Sequence, residues 1–210
     1  MNKYLKWENV DPKELKIKLN KGIMLATCDT VIGLFSLITA EGLKNLNKIK
    51  HRESKPYLMV ISSLIDLENI AVCNFSGSVK KLVDCCWPGP LTLILKAKDS
   101  APAHIKSDDG TVAVRIPKHK ALLSLLQETG PLFSTSANLT GQNIPSTLAE
   151  VEQSILEQVS VVISDDFEIS CTMPSTILDC SVPGKIVAIR HGAYDIDALE
   201  RICDAKIIRK

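Results

Sequence analysis

Pro131-Leu132-Phe133-Ser134-Thr135-Ser136-Ala137-Asn138-Leu139-Thr140-Gly141 is the stretch on which the reading of this chain turns. It begins as an apolar run, sets three hydroxyls and a carboxamide within five residues, and stops at a glycine. Short Ser, Thr and Asn side chains hydrogen-bond backbone, phosphate or carboxylate groups. Gly141 supplies a turn conformation that a residue with a Cβ resists. A strand ending in such a loop, ahead of a capped helix starting near Thr147, suits an anion. An ordinary strand-to-helix turn that bonds only itself fits the same eleven residues.

On the N-terminal side, Asp11-Pro12 with Glu14 reads as a helix start, with Leu15, Ile17 and Leu19 on the buried side and Gly22 as terminator. Gly22 to Ala26 reads as a strand running into the polar tip Thr27-Cys28-Asp29-Thr30. That tip is either a ligand loop or a solvated connection. Thr39 caps a helix bearing Leu43, Leu46 and Ile49, which delivers Lys48, Lys50, His51, Arg52 and Lys55 within eight residues. Some of these cations complement the helix dipole, and the excess points to an anion. Tyr57 to Ser62 reads as a buried strand, and Leu64 to Ala71 and Ser76 to Cys86 as helices. Trp87-Pro88-Gly89-Pro90 is a stiff turn into the strand Leu91 to Leu95. Val112, Val114 and Ile116 alternate with Ala113 and Arg115, so Arg115 faces away from the apolar side, toward solvent or a site.

Beyond the opening stretch, Thr147 and Glu150 form a second capping-box pattern ahead of Val151, Ile155, Leu156 and Val159. Val161 to Ile163, Ser175 to Leu178 and Lys185 to Ile189 read as strands, the last delivering Arg190. Asp195 caps a final amphipathic helix. Strands and helices mix throughout, so the fold class is α/β: a single domain over 1–210 with a twisted mixed sheet flanked by helices.

The composition is that of an ordinary globular protein, 45% hydrophobic and 23% charged. A net charge of +1 gives no global field for nucleic acid or membrane. There is no signal pattern or run of membrane-span length, and the seven cysteines show no CxxC spacing. These features lead us to expect a reduced, cytoplasmic protein without a membrane partner.

Seven ordered blocks together resemble the YrdC-like family, the threonylcarbamoyl-AMP synthases of tRNA modification. They span about 22–192: Cys28-Asp29-Thr30-Val31-Ile32-Gly33-Leu34, Lys50-x-Arg52 with Lys55-Pro56, Trp87 to Thr92, Val112 to Pro117, Thr135 to Gly141, Pro174 to Asp179, and Arg190-His191-Gly192. The resemblance implies an open sheet with a concave active-site cleft. It implies a nucleotidyltransferase that joins L-threonine, CO2 or bicarbonate and ATP into threonylcarbamoyl-AMP plus pyrophosphate, with Mg²⁺ accompanying ATP. By similarity, Lys50, Arg52, Ser136 and Asn138 are catalytic. Arg52, Lys55, Thr111, Ala137, Ser146 and Arg190 match ATP positions, and Thr30, Arg115, Thr135 and Thr176 match threonine positions. A downstream tRNA threonylcarbamoyl transferase would take the product. Thr27, Cys28 and Ile32 depart from the Pro, Thr and Tyr usual in the first block, which bears on amino-acid selectivity. The alternative is an RNA-binding module of the same fold, against which stand the near-neutral charge and an aromatic content of 4%.

Overall fold

Two sets of buried side chains alternate along the strands, and that alternation organises the computed structural model, which describes residues 3–52, 57–73, 75, 77–165 and 173–209. Among the described residues there are eleven strands: β1 Tyr4–Lys6, β2 Met24–Ala26, β3 Gly33–Leu37, β4 Leu58–Val60, β5 Leu91–Lys96, β6 Thr111–Arg115, β7 Leu132–Ser136, β8 Val161–Ser164, β9 Thr176–Asp179, β10 Val187–Arg190 and β11 Ile208–Arg209. They form one open mixed sheet in the order β1-β8-β2-β3-β7-β4-β6-β5-β9-β10-β11. The helices are α1 Pro12–Leu19, α2 Ala40–Lys50, α3 Leu64–Glu68, α4 Gly77–Cys86, α5 Lys120–Thr129, α6 Gln153–Gln158 and α7 Ile196–Cys203. None of them is long and apolar enough to cross a membrane. The six described cysteines are free thiols.

Successive strand residues point to opposite faces. Met24, Phe35, Val60, Leu132 and Val161 pack with Trp7, Leu15 and Leu19 of the N-terminal region and with Leu122, Leu125 and Leu126 of α5. Their sequence neighbours Leu25, Leu34, Met59, Phe133 and Val162 enter the larger core with α2, α4, α6 and α7. Each such fully buried side chain stabilises the fold by about 1.5–3 kcal/mol. β5 and β6 send Leu93, Leu95, Val112 and Val114 to the larger core, and on the α1/α5 face no described helix covers the sheet toward β6 and β9.

The expected helix caps are present. Asp11 accepts from Lys13 N, Thr39 from Gly42 N and Asp195 from Ala198 N. Other expectations are corrected. Ile17 is 58% exposed, because in an eight-residue helix Leu15 and Leu19 share a face that Ile17 cannot join. That helix ends at Leu19, before Gly22. Thr147 heads only a single 3-10 turn, and Glu150 accepts the Ser146 N–H at 2.8 Å. Val151 and Glu152 then turn extended, so α6 starts at Gln153.

Trp87, at the stiff turn, is buried and donates Nε1–H to Leu91 O at 2.6 Å. We expect Trp87→Ala to lower unfolding free energy by about 3–5 kcal/mol in urea titrations. An unchanged midpoint would remove the ring from the core's account.

Candidate functional site

On the uncovered half of the α1/α5 face, paired strand residues line up as a polar row. Register places Ser136 opposite Gly33, Ser134 opposite Leu58, and Val60 opposite Arg115. The cleft there, about 230 Å³ in volume, is lined by Gly33, Leu58, Arg115, Ser134 and Ser136 and by Thr30, Thr135, Ala113, Ser175, Ile177 and Arg190, with Arg52 and Tyr57. None of the lining residues lies in a helix, and none is acidic among those described. Three guanidiniums therefore converge among hydroxyls on a surface that carries a net positive charge.

Arg115 is 3% exposed, not the surface arginine that a strand-edge position commonly holds. The polar tip wraps it: NH2 donates to Asp29 Oδ1 at 2.9 Å and NH1 to Thr30 Oγ1 at 3.2 Å, with Cys28 Sγ 3.8 Å from NH2. The second Asp29 oxygen accepts the Lys118 N–H at 2.8 Å. The buried Arg115 Nε has no protein partner. The tip is thus not a solvated connection: it closes over Arg115, and Asp29 fixes the guanidinium.

Arg190 is fixed at the other wall by Ser175, donating Nε–H to its carbonyl and NH2 to its hydroxyl, both at 3.0 Å. Ser175 Oγ also meets Thr92 Oγ1 at 2.7 Å. Burial, and then the charge of Arg115, hold Arg190 below the ordinary arginine range, as expected of two cations facing one cleft. The chain can pass so close here because residue 192 is glycine; a Cβ on Gly192 would stand 2.3 Å from Pro174 O.

Lys50 is the last residue of α2, 3% exposed, beneath the turn that follows β7. Its ammonium donates to Ser136 O at 2.8 Å, to Asn138 Oδ1 at 3.2 Å and to Asn138 O. Ser136 Oγ donates to Asn138 Oδ1, Asn138 Nδ2 to Gln142 O, and Thr140 Oγ1 to Lys50 O. Gly141 sits at φ +85°, as its place in the turn requires. Burial, and then the neighbouring Arg52, lower the Lys50 pKa to about 8.

Thr30, Arg52, Arg115, Thr135, Ser136 and Arg190 therefore share one cleft, with Lys50 and Asn138 directly behind Ser136. Ala137 and Asn138 also border a second, open concavity formed with Gly141, Gln142, Pro145 and Glu150. Ser146 is exposed beside it. Two expected residues lie elsewhere. Thr176 is fully buried with its hydroxyl on the Tyr194 main chain, since it shares the core face with Leu178. Thr111 closes the 107–111 turn through Ser107 and Asp109. Lys55 lies outside the described residues. Cys28 lines the cleft, whereas Ile32 is buried in the larger core. His51 is the left-handed cap of α2 and does not line the cleft. Ser175 and Tyr57 are cleft residues to which the sequence gives no role, and Ser134 carries only its place among the hydroxyls of the opening stretch. The period of two through Leu132, Ser134 and Ser136 was the signal for Ser134.

A protonated Lys50 has three N–H donors for three acceptors, and the neutral amine has only two. The cation is present below about pH 8 and lost above it. Affinity for inorganic triphosphate should therefore fall as pH rises through about 8, and Lys50→Met should abolish that step. A wild-type profile flat across this range would contradict the placement.

The family model named Sua5/YciO/YrdC and described as "Telomere recombination" matches residues 17–192. A putative threonylcarbamoyl-AMP synthase of Methanocaldococcus jannaschii is 32% identical over 185 residues, covering 87% of this chain and 86% of the relative. The threonylcarbamoyl-AMP synthase of Mus musculus is 31% identical over 83% of this chain, and the match spans 64% of the mouse protein. Pyrococcus abyssi Sua5 crystallised with L-threonine superposes with a TM-score of 0.83 at 25% identity, over 97% of this chain and 61% of that one. The E. coli YciO crystal structure superposes at 0.77 with 20% identity, over 93% and 97%, a likeness of fold.

Proposed function

The chain belongs to the Sua5/YciO/YrdC family, and we propose that it is a threonylcarbamoyl-AMP synthase, forming threonylcarbamoyl-AMP and pyrophosphate from L-threonine, bicarbonate or CO2, and ATP. The observation that carries this reading is the cleft of three arginines and hydroxyls, with no acidic lining residue among those described, built from the blocks shared with the family. The threonine amine takes up CO2 as a carbamate, releasing a proton. A carbamate oxygen attacks the α-phosphorus, the bond to the β-phosphate oxygen breaks, and pyrophosphate leaves with the electron pair. No covalent enzyme intermediate is needed, so catalysis is positioning and charge stabilisation.

Arg115, held by Asp29 with Nε unpartnered, receives the threonine carboxylate in the fork geometry that favours Arg over Lys. Thr30 and Thr135 flank the amino acid. Arg52 and Arg190 face the phosphates and stabilise the charge that shifts to the leaving pyrophosphate. Lys50 and Asn138 hold Ser136 in place from behind, and the nucleoside extends over the concavity beside Ala137, toward Ser146. Lys55 joins the nucleotide side by family resemblance. Mg²⁺ enters with ATP as part of the substrate. The cleft offers hydroxyls and guanidiniums, and no metal-holding group of three His, Cys, Asp or Glu occurs among the described residues. The setting would be the cytoplasm, with the product passed to a tRNA threonylcarbamoyl transferase.

The test is pyrophosphate release from MgATP and bicarbonate with L-threonine, against no amino acid, serine and valine. We expect threonine-dependent release, and a fall of about 10²–10³-fold in Arg52→Ala. Release with another amino acid would move the substrate, with Cys28 as the cleft residue to examine. No release from folded protein would overturn the synthase reading in favour of an RNA-binding role.

A further inference from the structure

Arg52 leaves α2 one residue beyond a left-handed turn, where backbone alone does not fix the direction of a long side chain. His51 has φ 48° and ψ 50°. The Asn47 carbonyl accepts the N–H of both His51 and Arg52, the latter at 3.1 Å, which ties down the main chain of this exit. The side chain also meets an aromatic ring. Its guanidinium carbon stands 4.9 Å from the centroid of the Tyr57 ring, within the range of a cation–π contact.

That ring is itself immobilised. Tyr57 is 2% exposed and its hydroxyl donates to Asn47 Oδ1 at 3.0 Å. Its ring meets Phe133 edge-on, with centroids 6.3 Å apart. Phe133 lies on β7, the strand that ends in Ser136. Asn47 therefore anchors the Arg52 backbone through its carbonyl and the Tyr57 ring through its side chain. Phe133 ties the same ring to the strand carrying the cleft hydroxyls. Both Tyr57 and Arg52 line the cleft.

We infer that Tyr57, anchored by Asn47, is the positioning residue that sets the Arg52 guanidinium over the phosphate side of the cleft. This rests on the phosphate role given to Arg52 above. Tyr57 touches no reacting atom in this scheme. It acts by restricting a flexible side chain to one orientation, so that substrate binding need not order it. The face of the ring supplies the attraction and the hydroxyl supplies only the anchor, so the two contributions are separable by substitution.

The test is calorimetric MgATP binding together with steady-state kinetics for wild type, Tyr57→Leu, Tyr57→Phe, Asn47→Ala, Arg52→Ala and the Arg52→Ala/Tyr57→Leu double variant, each checked for fold by circular dichroism. Loss of a partly exposed cation–π contact corresponds to about three- to thirty-fold weaker MgATP binding in Tyr57→Leu. The KM for threonine should stay unchanged. Tyr57→Phe, which keeps the ring, should stay within about three-fold of wild type, and Asn47→Ala should fall between, in line with one lost neutral hydrogen bond. In the Arg52→Ala background Tyr57→Leu should have no further effect on MgATP.

An equal loss with and without Arg52, or parallel losses for threonine and MgATP, would reduce Tyr57 to a packing residue and overturn the inference. If Tyr57→Leu does not fold, Asn47→Ala decides, because its half-buried side chain can be removed while its carbonyl bonds remain; unchanged MgATP binding there overturns the inference. A wild type that binds no MgATP removes the phosphate role of Arg52 and this inference together. A wild type that binds MgATP, with Tyr57→Leu unaltered, removes the inference alone.

Discussion

The Lys50 ammonium beneath the β7 turn is the contact on which the cleft depends. Three acceptors from Ser136 and Asn138 meet its three donors, and Thr140 returns a bond to the Lys50 carbonyl. The end of a helix and the end of a central strand are thereby locked together. A buried ammonium is tolerated only when its hydrogen bonds are satisfied. Here they are satisfied by main-chain carbonyls and a carboxamide rather than by a carboxylate. The positive charge therefore remains uncompensated at the back of the site, which is the arrangement an anionic ligand favours. The lowered Lys50 pKa follows from the same burial and from Arg52 beside it.

The other cations are each held differently. Arg115 has a buried ion pair with Asp29, Arg190 leans on the neutral Ser175, and Arg52 lies over the Tyr57 ring. Arg115 pairs with a carboxylate, and its buried Nε–H is still unpartnered. Three cations held in different ways suit the proposed pairing of a carboxylate with a polyphosphate in one cleft. The sheet supplies the rigid base for all three. Among the described residues, helical cover on this face stops at α5 and α1, and polar residues of β6 and β7, with Ser175 just ahead of β9, occupy the gap.

Much of this was legible in the sequence because the signals were local. The caps Asp11, Thr39 and Asp195, the period of two through β6, and the hydroxyl-rich end of β7 all act within a few residues. What sequence did not give was orientation across the sheet. Thr176 and Ser175 are adjacent, and strand parity decides that Ser175 reaches the cleft while Thr176 bonds the Tyr194 main chain. Arg115 reads as an ordinary surface arginine from its own strand, because the tip between β2 and β3 that buries it lies about 85 residues away. Lys50 looked like a loop cation because nothing in its neighbours shows that β7 passes over it. α5, with Leu122, Leu125 and Leu126 on one face, was missed although its apolar spacing is clear. The second capping-box pattern misled because Glu150 bonds Ser146 and the chain turns extended before α6 begins.

The most direct measurement of the central claim is the fate of labelled carbon. Incubation with L-threonine, MgATP and ¹³C-bicarbonate, followed by mass spectrometry of the nucleotide products, should show an adenylate carrying both threonine and the ¹³C label. Its yield should match the pyrophosphate released. An adenylate without the label, or ATP left intact by folded protein, would contradict the account.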